Sequence, residues 1–541
     1  VERDDADDGT RLEADVETQA GAIRTDLQDV IARYARTLDA ARPAAVAKRR
    51  KTGQRTAREN LEDLCDPGTF AEYGALAVAG QRSKLSYDEL LDISPADGFI
   101  YGLASVNGAH FGPERSRCMV ASYDYTVFAG TQGFIGHKKH DRMFQLAESA
   151  RLPVVVFTEG GGGRPADTDN IGGVNLANPT FWNFGRLSGL VPLIGIASGR
   201  CFAGNAALLG LCDVVIATRD ASIGMGGPVM IEGAGLGVVK PDEVGPARMH
   251  AETGVVDILV DDEAEAVRQA KKYLSYFQGP LADWTCADQA RLRDVIPERR
   301  TRAYDIRRVL DLLADDDSVL ELRPAFGVGI VTALVRIEGR PIGVIANNPK
   351  HQAGAIGADE SDKLTRFIQL CDAFDLPIVS LCDTPGIMVG TDAERTALVR
   401  HASRIFVTAS NITVPFFTIV LRKAYGLGAM AMAGGSFHMS SFFTVSWPTG
   451  EFGSMGFEGQ IRLGYRNELE AIADPVARQK RFQELVDGLY AHGKALNIAP
   501  FLSVDAVIDP AESRRWILRG LDAFPPAPRR EGRKRPNIDA W

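Results

Sequence analysis

Four short glycine-rich stretches follow apolar, β-branched runs, and their residue types suit the stabilisation of an oxygen anion. Two lie in the first half of the chain: Gly160-Gly161-Gly162-Gly163 with Arg164, and Ala203-Gly204-Asn205-Ala206. Two lie in the second half: Thr384-Pro385-Gly386 running on to Gly390, and Gly426-Leu427-Gly428-Ala429. The second stretch of each pair continues into small and apolar residues that suit a helix. The first N–H groups of such a helix have no intrahelical partner, and small side chains leave them open to an incoming anion. Two such groups stabilise an enolate or a tetrahedral oxyanion without a side-chain catalyst. Glycines in these places also permit tight turns and close packing, and the spacing alone leaves both readings open. Other chemistries lack their motifs: there is no GxxxxGK, no GxGxxG after a strand, no GxSxG and no HExxH. His137 and His140 form an HxxH without a carboxylate at metal spacing and read as surface or capping residues.

The elements that must hold these loops repeat. LPVVVFTEGGGG from Leu152 resembles LPIVSLCDTPG from Leu376, an offset of 224 residues. The same offset carries Gln145-Leu146 onto Gln369-Leu370, Ala129-Gly130 onto Ala353-Gly354, Gly133 onto Gly357, Val120 onto Val344 and Gly204 onto Gly428. With one residue of slippage, Val191-Pro192 falls on Val414-Pro415. One domain is therefore expected twice. Each copy reads as α/β. Val154 to Phe157 and Val214 to Ala217 look like buried strands. Lys139 to Arg151 has helical spacing through Met143, Leu146, Ala147 and Ala150, with a counterpart from about Ser361 to Asp375. The pattern predicts a helical arm over 1–50, a first domain over 51–290, a second over 300–525, and a basic, Pro-rich, extended tail over 526–541.

Composition bounds the class. Of 541 residues, 45% are apolar and 24% charged, which is ordinary for a globular chain. A net charge of −9 argues against a nucleic-acid partner. Seven scattered Cys with no CxxC suit a reducing cytoplasm, and no metal site is expected. The strongest apolar run, Val414 to Leu421, is far short of the roughly 18 residues that span a membrane. The acidic start VERDDADDG, without Met, suggests a segment of a longer polypeptide.

GRCFAGNAALLGLCDVVIAT (Gly199 to Thr218) resembles the oxyanion-hole segment of the crotonase superfamily. GRPIGVIANNP (Gly339 to Pro349), AGAIGADESDKLTRFIQLCDAFDLPIVSLCDTPG (Ala353 to Gly386) and VPFFTIVLRKAYGLGAMAMAG (Val414 to Gly434) resemble the carboxyltransferase subunit of biotin-dependent acyl-CoA carboxylases. So do TARENLEDLCDPGTF (Thr56 to Phe70), WPTGEFGSMGFEG (Trp447 to Gly459) and VIDPAESRRWI (Val507 to Ile517). The likeness runs from about 45 to 522.

The resemblance implies two crotonase-like domains, each a spiral of ββα units, assembled as a homo-hexamer in the cytoplasm. It implies a ligase or transferase of fatty acid metabolism that moves CO2 from carboxybiotin to the α-carbon of an acyl-CoA. The site lies between the first domain of one subunit and the second domain of another. Gly204 with Asn205 would hold the thioester oxygen, and Gly428 with Ala429 the biotin ureido oxygen. The biotin anion itself is the base, so no side-chain base is required. Gly161, Gly162, Gly163, Arg164, Ala207 and Ala431 match the acyl-CoA side, and Pro385, Gly386 and Gly390 the biotin side. Lys138, Lys139 and Arg142 could face CoA phosphates but suit a solvated helix face equally, and Arg164 is the preferred phosphate contact. No biotinyl-lysine hairpin and no ATP module is visible. Biotin must then ride on a partner, and a biotin carboxylase and a carrier protein are required as subunits or as domains of one polypeptide.

Departures bear on the substrate. Asn205 stands where the family has Gly, and Gly160 replaces Ser. Ala207 and Leu209 stand near a usual Tyr and Pro, and Ala431 takes the place of the Asp of propionyl-type enzymes. These changes predict a roomier, less polar site and activity on medium or long acyl chains. Rival readings are the carboxyltransferase of a biotin-dependent decarboxylase or transcarboxylase, a crotonase-type CoA hydratase or isomerase, and a non-catalytic hexamer scaffold.

Overall fold

The computed structural model describes residues 24–169, 177–439, 441–525 and 532–541. The acidic start and part of the predicted tail lie outside these residues. The helices Thr25–Arg36 and Pro43–Arg50 come first. Arginines fasten them to the first half of the chain: Arg36 to Asp88 and Asp92, Arg42 to Asp124, and Arg49 to Glu159.

A seven-stranded sheet uses β1 (Ala71–Tyr73), β2 (Phe99–Ser105), β3 (Arg117–Tyr123), β4 (Val154–Phe157), β5 (Leu193–Ala197), β7 (Val214–Thr218) and β9 (Ile258–Val260), in that order. A ribbon of β6 (Arg200–Phe202) and β8 (Ser222–Gly224) stands beside it. The second sheet is β10 (Leu320–Leu322), β11 (Ile330–Ile337), β12 (Arg340–Asn347), β13 (Ile378–Thr384), β14 (Phe416–Tyr425), β15 (Phe443–Ser446) and β17 (Ala506–Val507), with β16 (Glu451–Gly453) paired to β14. Both sheets begin antiparallel and turn parallel at their third pairing.

The 224-residue offset holds to the level of register. Met119 pairs Val154, and Gly343 pairs Ile378. The slippage then enters, because Val154 pairs Leu193 while Ile378 pairs Phe416. Left-handed turns repeat at Ala129 and Ala353, and the helices Phe134–Ala150 and Ala358–Ala373 start at the same offset. The second helix has an unbroken buried run from Glu360 to Ala373, because it lies between the halves. Its Arg366 donates to the carbonyl of Asp213 in the first half. One apolar cluster runs through both halves, from Val155 and Ile194 to Phe367 and Ile378.

Each long helix carries a buried lysine at the common offset. Lys139 donates to the carbonyls of Gly74 and Ala96, and Lys363 to those of Arg323, Phe326 and Ile330. Burial lowers both ammonium groups to about 7. Lys139 is thus neither a solvated nor a phosphate-facing residue, whereas Lys138 and Arg142 are exposed. The described part of the tail, 532–541, carries basic side chains that pair inward, Lys534 and Arg535 with Asp372, and its Trp541 meets Phe326. No helix among the described residues is long and apolar enough to cross a membrane.

Candidate active site

β4 delivers the chain to Thr158, Glu159 and the glycine loop. Gly160 donates to the Arg200 carbonyl at 2.7 Å, which pins the loop to β6. A side chain at Gly160 is impossible, since its Cβ would lie 2.1 Å from the Gly130 carbonyl oxygen. Gly162 has φ +87° and donates to Asn205 Oδ1 at 3.0 Å, while Asn205 Nδ2 donates to the Gly130 carbonyl at 3.2 Å. The Asn departure is therefore a clamp that ties two loops to one helix. That helix, Gly204–Gly210, follows Ala203, whose φ is +51°. Its hydrogen-bond ladder begins when Ala207 N–H meets the Ala203 carbonyl at 2.9 Å. The N–H groups of Gly204, Asn205 and Ala206 precede that ladder and belong to the unpaired first turn.

His140 backs this region. Its ring bonds the Gly136 carbonyl and Tyr123 Oη, both at 2.6 Å, and Gln132 Nε2 donates to Tyr123 Oη at 2.8 Å. Burial holds the imidazole at about 3, so it is neutral, and with Nδ1–H on the carbonyl its Nε2 accepts from tyrosine. His140 is thus a core residue, not a surface or capping one. His137 is only partly buried and pairs with Thr180.

The second half repeats the arrangement and corrects one expectation. Gly426 has φ +53°, as Ala203 has +51°, and each follows a residue paired to a neighbouring strand, Tyr425 to Gly453 and Phe202 to Gly224. These equivalences put Leu427 opposite Gly204 and Gly428 opposite Asn205. Ala429 then matches Ala206. The pair Gly428 and Ala429 is therefore one residue late, because the slippage seen at Val191 and Val414 persists through β14. Gly428 has no room for a side chain, since a Cβ would lie 2.6 Å from the Gly386 backbone. The Gly386 N–H is held by Thr384 Oγ1 at 3.1 Å, the part that Asn205 plays for Gly162.

A cavity of about 550 Å3 opens here, lined by Pro385, Gly386, Met388, Phe406, Leu427 and Met455 among others. Leu427 is 60% exposed. Gly390, with φ +123°, is exposed and does not line this cavity. Ala431 does not line it either: it is wholly buried in the core. With the corrected register, the position two residues beyond the second pair is Met430, which is 40% exposed and lies one helical turn from Leu427. In the first half Ala207 is partly exposed, whereas Leu209 is core.

Gly161 and Gly163 are exposed beside Gly162, but Arg164 is not a free cation. Its buried guanidinium pairs with Asp97 and Asp167 and lies over Phe128, so it anchors the glycine loop instead of facing phosphate. Burial holds the Asp97 carboxyl above the usual carboxylate range, against the lowering pull of Arg164. Sequence reasoning missed two acids at the common offset, Glu159 and Asp383, each buried one residue before its loop. A carboxylate recurring at 224 residues beside a glycine loop was the available signal.

The carboxyl transferase domain description matches residues 48–538. The chain is 32% identical to the methylmalonyl-CoA carboxyltransferase 12S subunit of Propionibacterium freudenreichii subsp. shermanii over 491 residues, 88% of this chain and 90% of that one. It is also 32% identical to the biotin-dependent long chain acyl-coenzyme A carboxylase beta4 subunit of Mycobacterium tuberculosis over 499 residues, 88% and 90% of the two chains. Among solved structures, a single-chain, multi-domain long-chain acyl-CoA carboxylase is similar at TM-score 0.88 and 57% identity. The match covers 92% of this chain and about half, 49%, of that one. The transcarboxylase 12S hexamer with methylmalonyl-coenzyme A bound is similar at TM-score 0.77 and 31% identity, over 90% and 93% of the chains.

Proposed function

The chain belongs to the carboxyl transferase domain family and is the carboxyltransferase of a biotin-dependent acyl-CoA carboxylase, and from that premise we propose how its two glycine-rich half-sites divide the reaction. The first-turn N–H groups of Gly204 and Asn205 hold the thioester oxygen of acyl-CoA as its α-carbon is deprotonated. Those of Leu427 and Gly428 face an oxygen anion on the biotin side. The observation that carries this reading is the repeat itself: two matched helix starts, each entered through a residue of positive φ and backed by a glycine loop. Such preorganised N–H groups act where charge develops and need no side-chain acid or base.

The second half-site suits biotin in its chemistry. A 550 Å3 cavity with Met, Phe and Leu walls accepts a flat, uncharged bicycle, and the helix start offers donors to a carbonyl oxygen. When bound, carboxybiotin supplies the carboxyl group and the base. Pro385 and Gly386 line this cavity together with Leu427. Met388, Phe406 and Met455 exclude water, which strengthens the N–H dipoles.

The fold is proposed to be a pair of crotonase-like domains in a homo-hexamer, in which the first half of one subunit meets the second half of another. Apolar side chains exposed in both halves support this: Val229, Met230 and Val238 at 60–83%, and Val389, Val399 and Leu427 at 60–85%. The acyl chain is proposed to be medium or long, since Met430 is apolar where propionyl-type enzymes carry Asp, and the similar single-chain enzyme is a long-chain carboxylase. Carrier-bound biotin and biotin carboxylase come from partner subunits or from further domains of one polypeptide.

The test is reconstitution. The purified chain should not carboxylate any acyl-CoA from bicarbonate and ATP. Addition of biotin carboxylase and biotinylated carrier should restore the reaction, and the chain with free biotin should decarboxylate malonyl-CoA or a longer homologue. ATP-driven carboxylation by this chain alone, or no biotin-dependent decarboxylation, overturns the reading.

A further inference from the structure

Glu159 and Asp383 occupy equivalent places, each buried directly ahead of a glycine loop, yet their counter-charges come from different parts of the chain. Asp383 is served from within its own half. Arg422 Nη2 lies 3.0 Å away, Lys423 Nζ 2.9 Å, and Tyr304 Oη donates at 2.9 Å. At the offset that relates β5 to β14, the counterpart of Arg422 is Gly199. Gly199 carries no charge, a Cβ there would lie 2.1 Å from Glu159 Oε1, and Arg200, the counterpart of Lys423, is exposed. The missing charge arrives from the N-terminal helix Pro43–Arg50. Arg49 Nη1 donates to Glu159 Oε1 at 2.9 Å and Nη2 to Oε2 at 2.5 Å.

Arg49 is itself held. Its Nε donates to the Arg55 carbonyl and its Nη1 to Gln54 Oε1, each at 2.8 Å, and Glu263 lies 3.5 Å from Nη2. Gln54 Nε2 in turn donates to the Ser198 carbonyl, beside Gly199. Beyond Glu159 the chain enters Gly160, which bonds β6 on the way to Gly204. A shift of Glu159 therefore moves the loop whose Gly162 N–H is tied to Asn205.

We infer that Arg49 is a positioning residue for the acyl-CoA half-site: it is an arm-borne substitute for the cation that Arg422 supplies in cis to the second half-site. The N-terminal helix pair is then part of the working site, although it lies outside both repeats. The assignment of this half-site to acyl-CoA rests on the function proposed above. The positioning itself does not.

The test uses the full chain with its carrier and biotin carboxylase. Arg49→Met should lower kcat/KM for acyl-CoA by about 10²-fold, the scale of a misplacement near 1 Å, while KM for the biotinylated carrier stays at its wild-type value. Backbone exchange of Gly161 to Gly163 should accelerate, and that of Pro385 to Gly390 should not. Arg49→Lys keeps the charge and should recover part of the loss. Arg49→Met with Glu159→Gln removes both charges and should restore solubility if the single variant folds poorly. Wild-type kcat/KM for acyl-CoA and wild-type exchange in folded Arg49→Met would overturn the inference. Faster exchange at 161–163 with the kinetic loss falling on the carrier would keep Arg49 as a positioning residue and overturn the division of the half-sites.

Discussion

Leu427→Pro is expected to slow carboxyl transfer by about 10²–10³-fold, the usual cost of losing one preorganised oxyanion donor. Proline suits this probe because Leu427 lies in the first turn of the helix Gly426–Met432, directly after Gly426 with its positive φ. There the missing N–H breaks no helical bond, and the fixed φ is already helical. The side chain is 60% exposed, so the ring enters open space and not core. Gly426 lacks the Cβ that would crowd a following proline. Leu427→Ala keeps the N–H and should transfer at near the wild-type rate. Acyl-CoA binding, assigned to the other half-site, should be unchanged in both variants. Ala429→Pro is the weaker probe, because Ala429 is 2% exposed and a ring there disturbs packing as well. A folded Leu427→Pro chain that transfers at the wild-type rate removes Leu427 from the donor set.

The two neighbours Met430 and Ala431 should respond in opposite ways to the same substitution. Ala431→Asp places a carboxylate in a fully enclosed apolar cluster. An unpaired buried charge belongs to the most damaging class of change, at about 4 kcal/mol or more, so little folded protein should be recovered. Met430→Asp leaves the carboxylate in water, on the face shared with Leu427. That chain should melt near the wild-type Tm and shift kcat/KM toward short acyl chains. A burying pocket gains about 0.8 kcal/mol per CH2, whereas a carboxylate beside the tail resists desolvation. Melting curves and specificity constants from acetyl-CoA to palmitoyl-CoA decide the matter. A folded Ala431→Asp chain with short-chain preference, beside a neutral Met430→Asp, would return the role to Ala431.

Those substitutions also mark what the sequence carries. The repeat was readable because strand pairing preserves spacing, so the offset of Leu152 and Leu376 reappears as Val154 beside Met119 and Ile378 beside Gly343. VVVF and VVIA read as buried strands because both faces are covered. The glycine loops were readable because close approach tolerates no Cβ at Gly160 or Gly428. The register of the second pair was misread, since Ala-Gly-Asn-Ala and Leu-Gly-Ala align by letter and only the backbone at Ala203 and Gly426 fixes which residues correspond. The slippage at Val191 and Val414 already held that correction. Arg164 was misassigned because its partner Asp97 lies 67 residues away, and nothing local announces such a pair. Arg49 and Glu159 are further apart still, at 110 residues.

The sealed lysines give each half its own chemical clock. Lys139 is held by the turn that follows β1 and by Ala96 just before β2, and Lys363 by the matching turn between β10 and β11. An amine-acylating reagent can reach either one only when its own turn opens. Time-resolved labelling read by peptide mass should therefore show both lagging the exposed Lys138 by orders of magnitude. Because Lys363 sits on a helix buried between the halves, it should lag Lys139 as well. The ratio of the two rates measures how independently the two ancestral copies breathe, and equal rates would mean that they open as one unit.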